Sequence, residues 1–104
     1  MFVSTTDVIP GVNYQIIGVV QGNIVTSRHL GRDFMAGLKS MVGGEIKTFT
    51  EMTNDARQEA ERRMISQAQA MGADAIIASR FASDVVAEGT IEMLAYGTAV
   101  KFVA

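Results

Sequence analysis

The residues best suited to chemistry lie close together in the stretch SRHLGRDFMAGLKSMVGGE, Ser27 to Glu45: Arg28, His29, Arg32 and Asp33. His29 is the only histidine among 104 residues, and the chain has no cysteine. Imidazole suits borderline metals such as zinc and copper, so His29 is the candidate metal ligand. Arg28 and Arg32, beside the amides of a helix start, could hold a phosphate or carboxylate. Asp33 could pair with either arginine or favour the helix dipole. Arg28, Arg32 and Asp33 are therefore the candidate ligand-binding residues. The plainer role for the same residues is structural: a helix entry with backbone bonds and salt bridges. One chain cannot build a metal cage from one imidazole, whereas several copies of His29 or Asp33 around a symmetry axis could.

Other candidate chemistry is weaker. The seven methionines invite a copper reading, but Met52, Met64 and Met71 fall on one helical stripe, where methionine commonly fills a core. Gly43-Gly44 is no phosphate loop, because it follows a helical pattern and no GK[ST] comes after it. Ser27 and His29 stand two residues apart, a spacing that points helical side chains in different directions. Glu88 and Glu92 are the nearest carboxylate pair and sit where a turn is expected. No catalytic residue, enzyme activity or resident cofactor is expected, a bound metal ion aside.

A length of 104 residues fits one domain, since two would each be too small to bury a core. Hydrophobic residues make up 48% and charged residues 19%, a balance that excludes disorder. A net charge of −2 gives no electrostatic case for nucleic acid or an anionic membrane as partner. The absence of cysteine removes disulfides, thiolate zinc sites and cysteine nucleophiles together. The opening MFVSTTDVIPG has no basic n-region and is interrupted by Asp7 and Pro10, so it does not read as a signal peptide. No window approaches the apolar length of a membrane helix, and the cytoplasm is the expected location.

These residues need elements to position them. Tyr14 to Thr26, rich in Ile and Val, predicts a strand, with Gly18 and Gly22 marking a bend or a close backbone approach. Phe2 to Thr5 suits a short strand, and Ile9-Pro10-Gly11 a turn. Phe34, Leu38, Met41 and Val42 lie at helical spacing, with Gly43-Gly44 as the stop. Thr48 and Glu51 fit a capping box opening a second helix to about Met71, with Met52, Ala56, Ala60, Met64, Ala68 and Met71 as its apolar stripe. Gly72 would close it. Asp74 to Val86 and Thr90 to Val103 read as strands of an antiparallel hairpin through Ala87-Glu88-Gly89.

The expected order is thus β-α-α-β-β. Along the last strand, Leu94, Tyr96, Thr98, Val100 and Phe102 share one face, and Ile91, Met93, Ala95, Gly97 and Ala99 the other. Helices can cover one face of such a sheet, so the second apolar face must meet something else. A second copy is one answer; loops of the same chain are the other. If the small-residue face were the subunit contact, Ala95→Arg or Ala99→Arg would break the assembly.

The motif set resembles the YbjQ-like family: VSTTD at the start, SRHLGRDFMAGLKSMVGGE, the long helix, MGADAII, and LAYGTAVKF near the end. The resemblance spans nearly the whole chain. It implies an α+β, two-layer, dodecin-like subunit with an antiparallel three-stranded sheet and helices on one face. It also implies a homo-oligomer, a pentameric ring in the first instance. The family's label is heavy-metal binding, with no catalytic residues to carry over. The functional expectation is a non-enzymatic oligomer holding a metal ion or small anion at subunit interfaces; the alternative is a purely structural or protein-interaction ring.

Overall fold

The computed structural model describes residues 1–27, 41–42 and 45–104. Its elements are β1 (Phe2–Val3), β2 (Tyr14–Ser27), β3 (Met41–Val42), β4 (Glu45–Ile46), α1 (Lys47–Ala70), β5 (Ala75–Ala87) and β6 (Thr90–Phe102). The chain is α+β, but the sheet differs from expectation. It has four strands in the order β1-β5-β6-β2, and it is mixed, because β1 runs parallel to β5 through Phe2↔Ala75 and Val3↔Ile76. The described residues hold one helix, not two. The expected antiparallel three-stranded sheet is therefore corrected, and the dodecin-like description with it.

The reasons are local. The short strand expected within Phe2 to Thr5 forms at Phe2–Val3, but two residues carry no signal for their partner, which lies 73 positions away in the Phe2↔Ala75 pairing. Met41 and Val42, expected to end a helix, instead pair antiparallel with Ile46 and Glu45. Spacing alone at Met41 and Val42 fits a short strand as well as a helical period. The rest of the first expected helix lies outside the described residues.

The long helix follows its sequence signals closely. Met52, Ala56, Ala60, Met64 and Ala68 are buried at four-residue intervals, while Met71 lies beyond the helix and is exposed. The helix starts at Lys47, one residue before the expected cap. Gly72, at φ +79°, closes it in a Schellman arrangement. The Gly72 amide donates to the Gln69 carbonyl and the Ala73 amide to the Ala68 carbonyl, each at 3.0 Å.

Small residues let this helix lie directly on the sheet. A Cβ at Gly22 would stand 2.3 Å from the Met64 amide nitrogen and 2.4 Å from the Ala60 carbonyl oxygen. Gly22 is thus the close approach that its position in a strand suggested. Val20, Met93, Ala95 and Ala99 complete this core with Ile76. Ala95 and Ala99 are fully buried under the helix, so the small-residue face is an internal core and not a subunit contact. Two helix side chains also reach the backbone of edge strand β2. The Gln21 amide donates to Gln67 Oε1 at 2.7 Å, and Arg63 Nη1 donates to the Asn23 carbonyl at 2.8 Å.

Among the described residues, the opposite face is covered at one end. Ala75, Ile77 and Val100 are buried there, packed with Ile9 and Tyr14. Further along, Ile16 and Val19 remain 64% and 73% exposed. Strand β5 carries one irregularity: Ala78 and Ser79 intervene between the pairs Ile77↔Thr98 and Arg80↔Tyr96, where β6 has Gly97 alone. Ala78 takes φ +53° in this bulge, a left-handed conformation unfavourable for a residue with a Cβ. The N-terminal segment holds the bulge, with the Ala78 amide donating to Thr6 and the Ser79 amide to Ser4. Arg80 Nη1 adds a bond to the Thr5 carbonyl at 2.9 Å.

Candidate functional site

Arg28, His29, Arg32 and Asp33, the site residues named from sequence, lie outside the described residues. The described residues nearest to them in sequence line a cleft. Strand β2 ends at Ser27, and Ile24, Thr26 and Ser27 face Met52, Asp55, Ala56 and Glu59 of α1 across about 320 Å³. The strand and helix diverge here after their tight contact at Gly22, which leaves the space open. Asp55 and Glu59 stand one helical turn apart, so both carboxylates border the same cleft.

Glu59 is already committed. Arg62 Nη2 lies 2.5 Å from Glu59 Oε1, and Arg63 Nε lies 3.0 Å from the same oxygen. Hydrogen bonds from Arg62 and then Arg63 lower its pKa from 4.5 to about 2. The same contact raises the Arg62 pKa. A carboxylate held this far below neutrality is a poor proton acceptor at pH 7 and serves as a structural anion. Arg63 joins it to the sheet through the bond to the Asn23 carbonyl at 2.8 Å.

A second cleft, of about 300 Å³, lies on the other side of the helix. Its floor is Val85, Ile91 and Met93, and its rim is Thr53, Arg57, Ser83 and Asp84. Arg57 donates to Asn54 Oδ1. The sequence reading named none of these lining residues as a site. The usable signal was the polar face of α1, where Asp55, Arg57 and Glu59 flank the apolar stripe, but it cannot show which strand lies opposite.

Metal chemistry was tested against these donors. Among the described residues, no group of three or more His, Cys, Asp or Glu side chains is placed to hold a metal ion. Asp55 and Glu59 do not form such a group, and Glu59 already faces two guanidiniums. The described residues therefore do not fit a metal centre.

A family model described as "Putative heavy-metal-binding" matches residues 1–103. This chain belongs to the YbjQ-like family. A UPF0145 protein of Vibrio parahaemolyticus is 54% identical over 104 residues, covering 99% of each chain. A UPF0145 protein of Thermosipho melanesiensis is 53% identical, covering 97% of this chain and 94% of its own. The names of these relatives assign no activity. Among solved structures, a protein of unknown function from Pediococcus pentosaceus, of the DUF74 family, superposes with a TM-score of 0.73. It shares 19% identity and covers 99% of this chain and 98% of its own; that likeness concerns the fold alone. Among the described residues, no helix of this YbjQ-like chain is long and apolar enough to cross a membrane.

Proposed function

We propose that this YbjQ-like chain works as a non-enzymatic homo-oligomer, a ring of five copies in the first instance, with any small ligand held where subunits meet. One observation carries the reading: the chain exposes more surface than a folded monomer of its mass. Its accessible surface is 6543 Å², against about 5,700 Å² expected for a monomeric protein of 11.2 kDa. The radius of gyration points the same way, at 17.1 Å against about 13 Å for a compact domain of this length. The subunit number of five rests on the family resemblance.

The family's description supports a metal ion as ligand, and the sequence restricts how one could be held. With one histidine and no cysteine per chain, a soft or borderline metal needs donors from several copies. His29 is the residue through which an assembly would supply them. Arg28, Arg32 and Asp33 would surround it with mixed charge that also suits a small anion. Native mass spectrometry tests both parts, because it reports subunit number and any retained ligand together. The expected spectrum shows a multiple of the 11.2 kDa subunit. Zinc titration by calorimetry should show binding to wild type at pH 7 that weakens at pH 5, where imidazole holds a proton, and that is lost in His29→Ala. Binding that survives His29→Ala would move the metal away from this segment. An intact assembly that takes up neither zinc, copper nor phosphate would favour the purely structural ring.

A further inference from the structure

We propose that the N-terminal segment from Phe2 to Ile9 is a strap that sets the register of β5 on β6, and that its release lets the outer half of β5 shift by one residue. In the bulge, Ala78 and Ser79 together stand opposite Gly97. This extra residue separates the pair Ile77↔Thr98 from the pair Arg80↔Tyr96. Without the bulge Ser79 faces Tyr96, and Phe81 faces Leu94 in place of the present Ala82↔Leu94 pair. A shift of one residue turns every side chain of a strand to the other face. The strap thus controls which side chains the β5–β6 hairpin presents on each face of the sheet.

Three costs fall on the present register. Ala78 holds φ +53°, and such a backbone persists only where its surroundings over-determine it. Ser79 is 6% exposed, and its hydroxyl bonds to none of the described residues, which leaves a buried polar group without a partner. Asp84 stands opposite Glu92, a destabilising like-charge pair, relieved in part by Asn23 Nδ2, which donates to Glu92 Oε2 at 3.1 Å. The shift removes all three: the bulge goes, Ser79 turns to the face away from the helix, and Asp84 comes opposite Ile91. The side-chain pattern does not oppose it. The alternating sets Phe81, Ser83, Val85 and Ala82, Asp84, Val86 each hold two apolar residues and one polar residue, so neither register is favoured by patterning. What holds the bulge is the strap. The Ser4, Thr5 and Thr6 carbonyls accept in turn from the Ser79 amide at 2.9 Å, Arg80 Nη1 at 2.9 Å and the Ala78 amide at 2.8 Å. A local turn shapes this segment, with the Thr6 amide donating to Ser4 Oγ at 3.0 Å and Thr6 Oγ1 to the Val8 carbonyl at 2.8 Å. The strap is itself lightly held. It pairs with β5 at Phe2 and Val3, and its apolar anchors are Val3 on the helix-side core and Ile9 on the other.

The chain has no cysteine, so introduced pairs report the register directly, because a disulfide needs two Cβ atoms that face each other. Ala82→Cys with Leu94→Cys reports the present register, and Phe81→Cys with Leu94→Cys the shifted one. Each pair is made in the otherwise unchanged chain, with Val3→Lys to loosen the strap, and with Arg80→Ala to remove its side-chain bond. The rate of intramolecular linking under mild oxidation is read by mass spectrometry, with circular dichroism as a check on folding. With the strap unaltered, the Ala82 pair should link at least tenfold faster than the Phe81 pair. Val3→Lys should speed the Phe81 pair at least tenfold, and Arg80→Ala should speed it in the same direction. If Val3→Lys does not fold, Arg80→Ala decides alone. Folded variants that still link only through the Ala82 pair would overturn the strap's role. Equal rates for the two pairs with the strap unaltered would overturn the claim that it fixes one register.

Discussion

At the scale of single residues, stability turns on Gly22, Ala78 and Glu59. Gly22 is the point where the helix backbone meets the sheet, so Gly22→Ala forces a methyl group into the Ala60–Met64 turn. Overpacking a tight core costs about 1–3 kcal/mol and occasionally more; backbone cannot give way as a side chain can, so the upper end is expected in urea unfolding. Ala78 has the opposite sign. It holds φ +53°, a conformation that costs a residue with a Cβ roughly 1–2 kcal/mol. Ala78→Gly removes that strain but adds freedom to the unfolded chain, which offsets part of the gain. A net stabilisation of about 0.5–1 kcal/mol is expected, and a lower urea midpoint would refute the strain argument. Glu59 concerns pH. Its carboxyl falls from 4.5 to about 2 on folding, through Arg62 first and Arg63 second. A depressed acid stabilises the fold fully above its unfolded pKa and loses that contribution as pH falls through the folded one. Between pH 4.5 and 2 the wild type should therefore lose stability in a way that Glu59→Gln does not, seen as a difference in the slope of urea midpoint against pH.

At the scale of elements, the legible parts of the fold are those whose signals are long and repeated. The four-residue spacing from Met52 to Ala68 predicts the buried side of α1, and each of those side chains is buried. Met64 is the largest among them and fully enclosed, so Met64→Ala should cost about 2–5 kcal/mol in denaturant unfolding. A value under 1 kcal/mol, estimated on the same scale, would mean the helix does not pack as described. Gly89 and the flanking alternation predict the β5–β6 hairpin, which forms with Gly89 at φ +69°. What escaped the sequence was short or depended on distant partners. The parallel β1–β5 pairing involves two residues on each strand. Met41 and Val42 fit a helical period by spacing alone, and pair instead with Ile46 and Glu45. The two apolar sides of β6 were visible in the sequence, but not which one the helix would choose. Small side chains decided it, since Ala95 and Ala99 admit a helix that Tyr96 and Phe102 would hold off. The site is less legible than the fold. Its named residues stand outside the described part, and the clefts arise from how far α1 diverges from the strands on either side of it.

At the scale of the whole molecule, the central claim is that this chain is a subunit. The principal extents are 56 × 25 × 17 Å, and among the described residues one helix covers part of one face of the sheet. The apolar face under the helix is satisfied within the chain, and Ile9 covers one end of the other. Exposed apolar side chains remain on both β2 and β5, among them Ile16, Val19 and Val85. The proposed metal binding requires this step, because a single chain brings one imidazole and no thiolate. The most direct measurement is the molar mass of the purified wild type by sedimentation equilibrium at micromolar concentration. The expected result is an assembly several times the 11.2 kDa of the chain, with five subunits as the expected number; a single species at 11.2 kDa across the concentration range would contradict self-association.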